Sequence, residues 1–211
     1  DSGAVVCYCF NATGLHGTFT GEPIGWYAAG ATVTVTVTAV ADPYYHFAGW
    51  SGETQGDTNA LTMTLTMTMD QARFLLAFFA ENLAPLGTPE VWLASWGWTS
   101  NFGYWETNDT DGDFFFAWQE QIADTDPTSS NSFFHLMNVG HTNSFAVTFS
   151  CTNTRVYNLE FNTNLFAAWA SVSGQTNVPG AAGGSMTLTD TVDAVRRAYR
   201  VGVSENTGNP H

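Results

Sequence analysis

The residues best suited to chemistry lie in one twelve-residue stretch that runs from Asp109 to Glu120. Acidic side chains stand at its first, third, fifth and twelfth positions, which are Asp109, Asp111, Asp113 and Glu120. Carboxylate oxygens are the ligands that Ca²⁺ prefers, and the backbone carbonyl of Phe115 at position seven can add another. The spacing predicts a calcium site formed by these five residues, with Glu120 closing the shell through both of its oxygens.

An acidic, solvated loop without an ion is the alternative interpretation of this stretch. It is disfavoured because three aspartates within a few ångströms repel one another strongly when no cation lies between them. Asn108 and Asp124 flank the loop, and we expect at most weak assistance from them. The predicted role of the ion is structural: it fixes the angle between two β domains.

The stretch from Thr88 to Thr128 resembles the EF-hand-like calcium loops of bacterial extracellular proteins, which share features with dockerin and thrombospondin type-3 repeats. It departs from them at Phe114, where the sixth loop position normally holds glycine in a left-handed turn. A phenylalanine in that conformation should cost on the order of 1–2 kcal/mol. Either the site binds calcium more weakly, or its turn is rebuilt.

Helical signals flank this loop. Thr88, Pro89 and Glu90 form a helix start, with a capping hydroxyl, a proline at the first position and an acid near the N-terminal dipole. We predict a helix over 89–96 that stops at Gly97. A second, amphipathic helix leads out of the loop.

Alternating sequence dominates the first eighty residues. Residues 32–38 alternate threonine with valine, and residues 61–69 alternate threonine with leucine or methionine. Such a period of two places the apolar side chains on one face of a sheet and the threonines on the other. Both stretches are therefore predicted to be β-strands.

Four segments of this region resemble the divergent internalin-type B-repeat. They are Gly25–Gly30, Tyr45–Gly52 with its Gly-Trp-Ser-Gly core, Leu65–Asp70 and Ala77–Phe79. The resemblance covers residues 4–82 and implies a small β domain without an active site, used as a spacer or adhesive module on bacterial surface proteins. Ser51 is not a hydrolase nucleophile, because that motif needs glycine where Glu53 stands.

Strand patterns return after residue 131. They cover residues 144–150, 155–161, 185–190 and 197–203. This region resembles the fibronectin-III-like β-sandwich of secreted bacterial proteins. The predicted fold class is mainly β, with a B-repeat-like domain at 1–82, a helical linker with the calcium loop at 83–130, a β-sandwich at 131–204 and a tail at 205–211.

The charge balance limits the possible partners. The chain has 211 residues, five arginines, no lysine and 19 acidic residues, for a net charge of -14. It offers no basic face for nucleic acid or for anionic membranes. No apolar run is long enough to span a membrane. The sequence opens Asp1-Ser2-Gly3, which we interpret as a mature, exported form whose signal peptide has been removed.

The N-terminal segment carries two of the three cysteines. Cys7 and Cys9 lie two apart in a strand-like segment, so they share a face and cannot easily bond each other, whereas either could pair with Cys151. The segment could also insert into a neighbouring molecule's sheet as a self-assembly strand, or form the first strand of its own domain. It comprises Val5, Val6, Cys7, Tyr8, Cys9 and Phe10.

These observations predict a non-enzymatic extracellular protein. The five histidines show no paired spacing for zinc, and calcium accounts for the clustered acids. The first hypothesis is a calcium-stabilised subunit of a surface fibre or layer that polymerises by strand addition. The alternative is an adhesion or glycan-binding module, in which an exposed aromatic side chain stacks on sugars. The candidates for that stacking are Trp26, Trp50, Trp98 and Trp105.

Overall fold

A computed structural model of the chain describes residues 7–21, 24–38, 43–53, 63–164, 166–181, 184–192 and 196–206. It is mainly β, as the sequence predicts, with several separate sheets and few helices. Contacts divide the chain into two compact units. The first comprises Asp1–Pro85 and Pro89–Ser100, and the second comprises Leu86–Thr88 and Asn101–His211.

The described residues of the first unit form seven strands. They are β1 (Cys7–Gly14), β2 (Thr18–Gly21), β3 (Ile24–Ala28), β4 (Ala31–Thr38), β5 (Tyr45–Gly52), β6 (Thr64–Met69) and β7 (Arg73–Glu81). One sheet has the order β3-β1-β7-β5, with β1 parallel to β7, and the other has the order β2-β4-β6. The two strands with alternating sequence, β4 and β6, pair antiparallel, with Val33 opposite Met67.

Alternation decides which side chains of this unit are buried. Leu65, Met67 and Met69 of β6 lie in the core while the intervening threonines are exposed, which confirms the predicted facing within β6. Met63, which the same prediction placed on the apolar face, is 50% exposed and precedes the strand. Residues 61 and 62, the start of that predicted strand, lie outside the described residues. Phe10 and Leu75 are buried from the facing sheet. The period of two in the sequence therefore becomes one core between two sheets.

Three short helices follow within the described residues 83–164: α1 (Glu90–Ser95), α2 (Phe102–Glu106) and α3 (Ala117–Ala123). The predicted helix at 89–96 is present as α1, and Gly97 has the expected positive φ of 88°. Thr88 does not cap it, because the helix begins one residue later and Pro89 is the N-cap, without a side-chain hydrogen bond. None of the helices among the described residues is long and apolar enough to cross a membrane.

In the part of the second unit that the structure describes, two sheets share one core. The strands are β8 (Leu136–His141), β9 (Phe145–Cys151), β10 (Arg155–Asn162), β11 (Ala170–Ser171), β12 (Val178–Pro179), β13 (Gly184–Asp190) and β14 (Ala198–Glu205). One sheet has the order β13-β9-β8; in the other, β10 pairs with β11, β12 and β14. Phe149, Tyr157, Leu159 and Leu188 fill the space between them. The four predicted strands correspond to β9, β10, β13 and β14, whereas β8 was not predicted.

Candidate metal centre

The three aspartates of the acidic loop lie together between α2 and α3. One carboxylate oxygen from each of Asp109, Asp111 and Asp113 lies within 4.8 Å of the other two. Among the described residues, no other group of three or more His, Cys, Asp or Glu side chains is close enough to hold an ion. The sequence spacing has therefore become a spatial cluster of oxygen ligands.

Backbone N–H groups hold these carboxylates in place. Asp109 accepts hydrogen bonds from the N–H of Gly112 at 2.8 Å and from that of Phe114 at 3.0 Å. Asp113 accepts one from the N–H of Phe115 at 2.9 Å. The loop thus wraps around its own acids and fixes their orientation. Asp111 and Asp113 nevertheless each keep one buried oxygen without a hydrogen-bond partner.

Glu120, in the first turn of α3, is a buried acid close to the three aspartates. Its side chain is buried, and the residue is only 1% exposed. Burial and the nearby charges of Asp111 and Asp113 raise its pKa to about 8. Its one described hydrogen bond comes from the Thr125 hydroxyl at 3.3 Å. A buried carboxylate beside acids needs a proton or a cation to offset its desolvation.

The donor set is suited to a hard cation. The pKa of Asp111 is also raised, mainly by burial and to a lesser extent by repulsion from Asp113. The structure groups the three aspartates, whereas Glu120 lies near enough to interact with them electrostatically but outside that group. Carboxylate oxygens are ligands typical of Ca²⁺ rather than of zinc or copper. The unpartnered buried oxygens are the atoms that such an ion would satisfy.

Phe114 keeps the left-handed turn that its side chain disfavours. Its φ is 77° and the residue is 90% exposed, so the ring gains nothing from packing that would offset the strain. Gly112 has a similar φ of 83°. Of the two alternatives raised by the sequence, the rebuilt turn is therefore wrong, because the loop retains the positive φ at position six.

Helix α3 connects this loop to the β-sandwich of the second unit. At its start, the Phe116 N–H donates to Gln119 Oε1 at 2.9 Å and the Ala117 N–H donates to the Asn108 carbonyl at 3.1 Å. The helix then ends at Asp124, which has a left-handed φ of 59°. Asn108 also donates from its side-chain amide to the Thr110 hydroxyl at 3.1 Å, so it contacts the loop through both backbone and side chain.

Arg155, at the start of β10, holds the other end of α3. Its guanidinium donates to the carbonyls of Ile122, at 2.7 Å, and Gln121. A cation at a helix C-terminus also interacts favourably with the helix dipole. Asp124 pairs with Arg155 at 3.9 Å and accepts a hydrogen bond from the Thr154 hydroxyl, so it is not grouped with the loop acids. Sequence reasoning missed this role of Arg155, because its partners are backbone carbonyls.

The self-assembly segment lies only partly within the described residues. Val5 and Val6 fall outside them, whereas Cys7, Tyr8, Cys9 and Phe10 belong to β1. There, β1 pairs with β3 from Cys7 onward and with β7 from Phe10 onward. This is the second alternative raised by the sequence, the first strand of the segment's own domain. Cys7, Cys9 and Cys151 are free thiols in this structure.

The four tryptophan candidates differ in exposure. Trp50 and Trp98 are buried and Trp105 is half-buried, which leaves no open ring face for a sugar on the first two. These two assignments are therefore wrong, since both rings fill cores. Trp26, on β3, is 75% exposed.

Comparison with known protein families gives one match. Residues 10–83 match the divergent InlB B-repeat domain, which confirms the B-repeat part of the predicted resemblance. Domains of this family occur in surface proteins and are not typically enzymatic. Neither the curated proteins nor the solved structures contain a significant match to the chain.

Replacing Phe114 by glycine should stabilise the loop. Glycine adopts a φ of 77° without the Cβ clash, so the free energy of unfolding should rise by about 1 kcal/mol, less the entropy of the added glycine. Urea denaturation measures the change. Gly112→Ala is the matched control, and it should destabilise by a similar amount, since nothing lies near its Cβ position. Equal stability of the Phe114→Gly variant and the unmodified protein would contradict a strained turn.

The buried Glu120 should make the calcium-free protein less stable as the pH rises. Below pH 4.5 the group is protonated in both states. Between 4.5 and about 8 the unfolded chain loses this proton while the folded protein keeps it, so stability falls across this window. Denaturation in chelator at a series of pH values measures the slope. Glu120→Gln should flatten it, and an unchanged slope in that variant would rule out this assignment.

Proposed function

We propose that this protein is a non-enzymatic structural component of a bacterial extracellular surface, in which calcium stabilises the second unit. The single observation that carries the calcium assignment is the buried Glu120 carboxylate beside Asp111 and Asp113. A bound divalent cation would replace repulsion among four acids with attraction to a shared ion.

The spacing and the backbone of the loop support its assignment to the calcium loops of extracellular bacterial proteins. Acids stand at positions one, three, five and twelve, and φ is positive at position six. Short helices precede and follow the loop. In this proposal Asp109, Asp111 and Asp113 each provide a carboxylate oxygen, Phe115 provides its carbonyl, and Glu120 binds through both oxygens.

Calcium would act through α3. The ion would hold Glu120 at the start of the helix, while Arg155 binds its last carbonyls. Gln121 adds a hydrogen bond from its side-chain amide to Glu205 of β14, at 2.8 Å. With both ends fixed, the helix becomes a rigid part of the sandwich unit.

The extracellular location rests on two observations. Residues 10–83 match a domain type found on surface proteins, and the net charge of -14 suits a medium rich in divalent cations. We propose that the chain is secreted. The sandwich of the second unit would then be the fibronectin-III-like domain that its strand pattern resembles.

A second candidate function is adhesion through carbohydrate. Trp26 is exposed on the outward face of the sheet β3-β1-β7-β5, with Ile24 and Phe74 exposed on the same face. Asn11 of β1 pairs with both Ile24 and Phe74, so these side chains line up across the sheet. An open indole ring on a flat surface can stack on a sugar ring.

Calcium should bind with one-to-one stoichiometry and stabilise the protein. At a calcium concentration one hundred times the dissociation constant, the expected gain is about 2.7 kcal/mol, seen as a rise in Tm. Isothermal titration calorimetry and thermal denaturation of the full chain measure both effects. Magnesium should bind more weakly, because it requires a smaller octahedral shell.

The variants Asp111→Asn and Glu120→Gln distinguish calcium binding at the loop from non-specific screening of the acidic chain by calcium. Both should lose the calcium-dependent rise in Tm. Glu81→Gln removes one exposed acid from β7 and should keep the rise in full. An equal response of all three variants would show non-specific screening of charge and would contradict the site.

Glycan binding, if present, should depend on Trp26. Trp26→Ala should remove binding to a glycan array, whereas Ile24→Ala, on the same strand and also exposed, should keep it because no ring is lost. Circular dichroism checks that both variants fold. Equal binding by the two variants, or none by the unmodified protein, would exclude this candidate.

A further inference from the structure

The sandwich of the second unit is open along one side. Strand β8 is an edge of the sheet β13-β9-β8, and β14 pairs with β10 at an edge of the other sheet. Between these two edges lies a groove with a cavity of about 270 Å³. Its apolar lining includes Leu136, Val139, Phe145, Val147, Leu159 and Tyr199.

The groove reaches the interior of the sandwich. Val147 and Leu159 belong to the buried core and also line the groove. The rings of Phe145 and Tyr199 stack with centroids 3.6 Å apart, joining β9 of one sheet to β14 of the other. Apolar side chains entering here would extend the existing core.

Strand β8 lacks the usual protection of a sheet edge. All six of its residues are exposed, including Leu136, Met137 and Val139, and it contains neither a charged residue nor a proline. Natural proteins place charged residues or proline on edge strands to prevent another strand from pairing there. An uncovered apolar edge beside an apolar groove is the form of site to which an extended strand adds.

We propose that this groove accepts residues 1–6 of a second copy of the chain as an added strand between β8 and β14. The inference deepens the structural role proposed above by naming its partner. Residues 1–6 and 207–211 are the terminal segments outside the described residues. Only the former has aliphatic side chains, Ala4, Val5 and Val6, whereas the latter reads Thr-Gly-Asn-Pro-His. Proline and glycine there oppose strand formation.

Length and charge suit this occupant. Six extended residues span about 20 Å at roughly 3.3 Å each, and β8 also has six residues. The groove lining contains two arginines and no acid, on a chain whose net charge is -14. Arg197 and Arg200 are paired with Asp190 and Glu160, so the groove is close to neutral. An acidic second copy is not repelled there.

This contact would be heterologous. The donated segment precedes β1 of the first unit, and the acceptor groove belongs to the second unit, so each copy can both donate and accept. A head-to-tail interface of this kind continues into an open filament unless its rotation closes a ring. Strand addition would thus give a surface fibre through one repeated contact.

Two variants that fail in different ways test the proposal. Deleting residues 1–6 removes the donor, and Val139→Arg blocks the acceptor with a long charged side chain. Val192→Arg is the matched control: Val192 is 53% exposed against 55% for Val139, and it does not line the groove. Sedimentation of the full chain should show particles larger than a monomer, retained by Val192→Arg and lost by both test variants.

Mixing the two defective variants separates a second copy from the chain's own N-terminus. The Val139→Arg chain still donates and the deleted chain still accepts, so the mixture should form a one-to-one dimer of twice the monomer mass. Neither variant alone should do so. Monomers in the mixture, a monomeric unmodified chain or unchanged assembly after the deletion would each overturn the proposal. Both variants should keep calcium binding, so failure of this proposal is distinguishable from failure of the calcium site.

Discussion

Repulsion among four neighbouring carboxylates is the constraint on which the second unit depends. Asp109, Asp111 and Asp113 are brought together by backbone hydrogen bonds within their own loop, and Glu120 is buried at the start of the helix that follows. Each of these placements is unfavourable without a cation or a proton. The raised pKa values of Asp111 and Glu120 express this cost. A bound calcium ion would make the electrostatic energy of this cluster favourable. It would also make the loop and the start of α3 rigid.

The contacts of α3 connect the calcium loop to the sheet of the second unit. The helix has only seven residues, too few to be stable alone, and depends on what fixes its ends. Its C-terminal carbonyls are bound by Arg155 of β10, and Gln121 bonds to Glu205 of β14. The loop acids, the helix and these two neighbouring strands therefore form one connected set of contacts. In the proposed account, calcium and Arg155 are complementary cations that act at opposite ends of the same helix.

Local signals explain what could be predicted from the sequence. The alternation in β6 and the proline and glycine around α1 act within a few residues, and the same is true of the spacing of the loop acids. Contacts between distant residues explain what was missed. Arg155 binds backbone carbonyls more than thirty positions away, which no side-chain pattern reveals. The helix α2 contains aromatic residues and glycine, which have low helix propensity, and forms in spite of them. Strand β8 lacks alternating burial because all of its residues are exposed.

A crystal structure of the protein grown in calcium chloride will show whether Glu120 and the three aspartates bind one ion. The account predicts an anomalous density peak bound by Asp109, Asp111, Asp113 and the Phe115 carbonyl, at about 2.3–2.6 Å from each oxygen. Both oxygens of Glu120 should lie in the same shell. A loop without such a peak, with Glu120 bonded to Asp111 through a shared proton, would contradict the account.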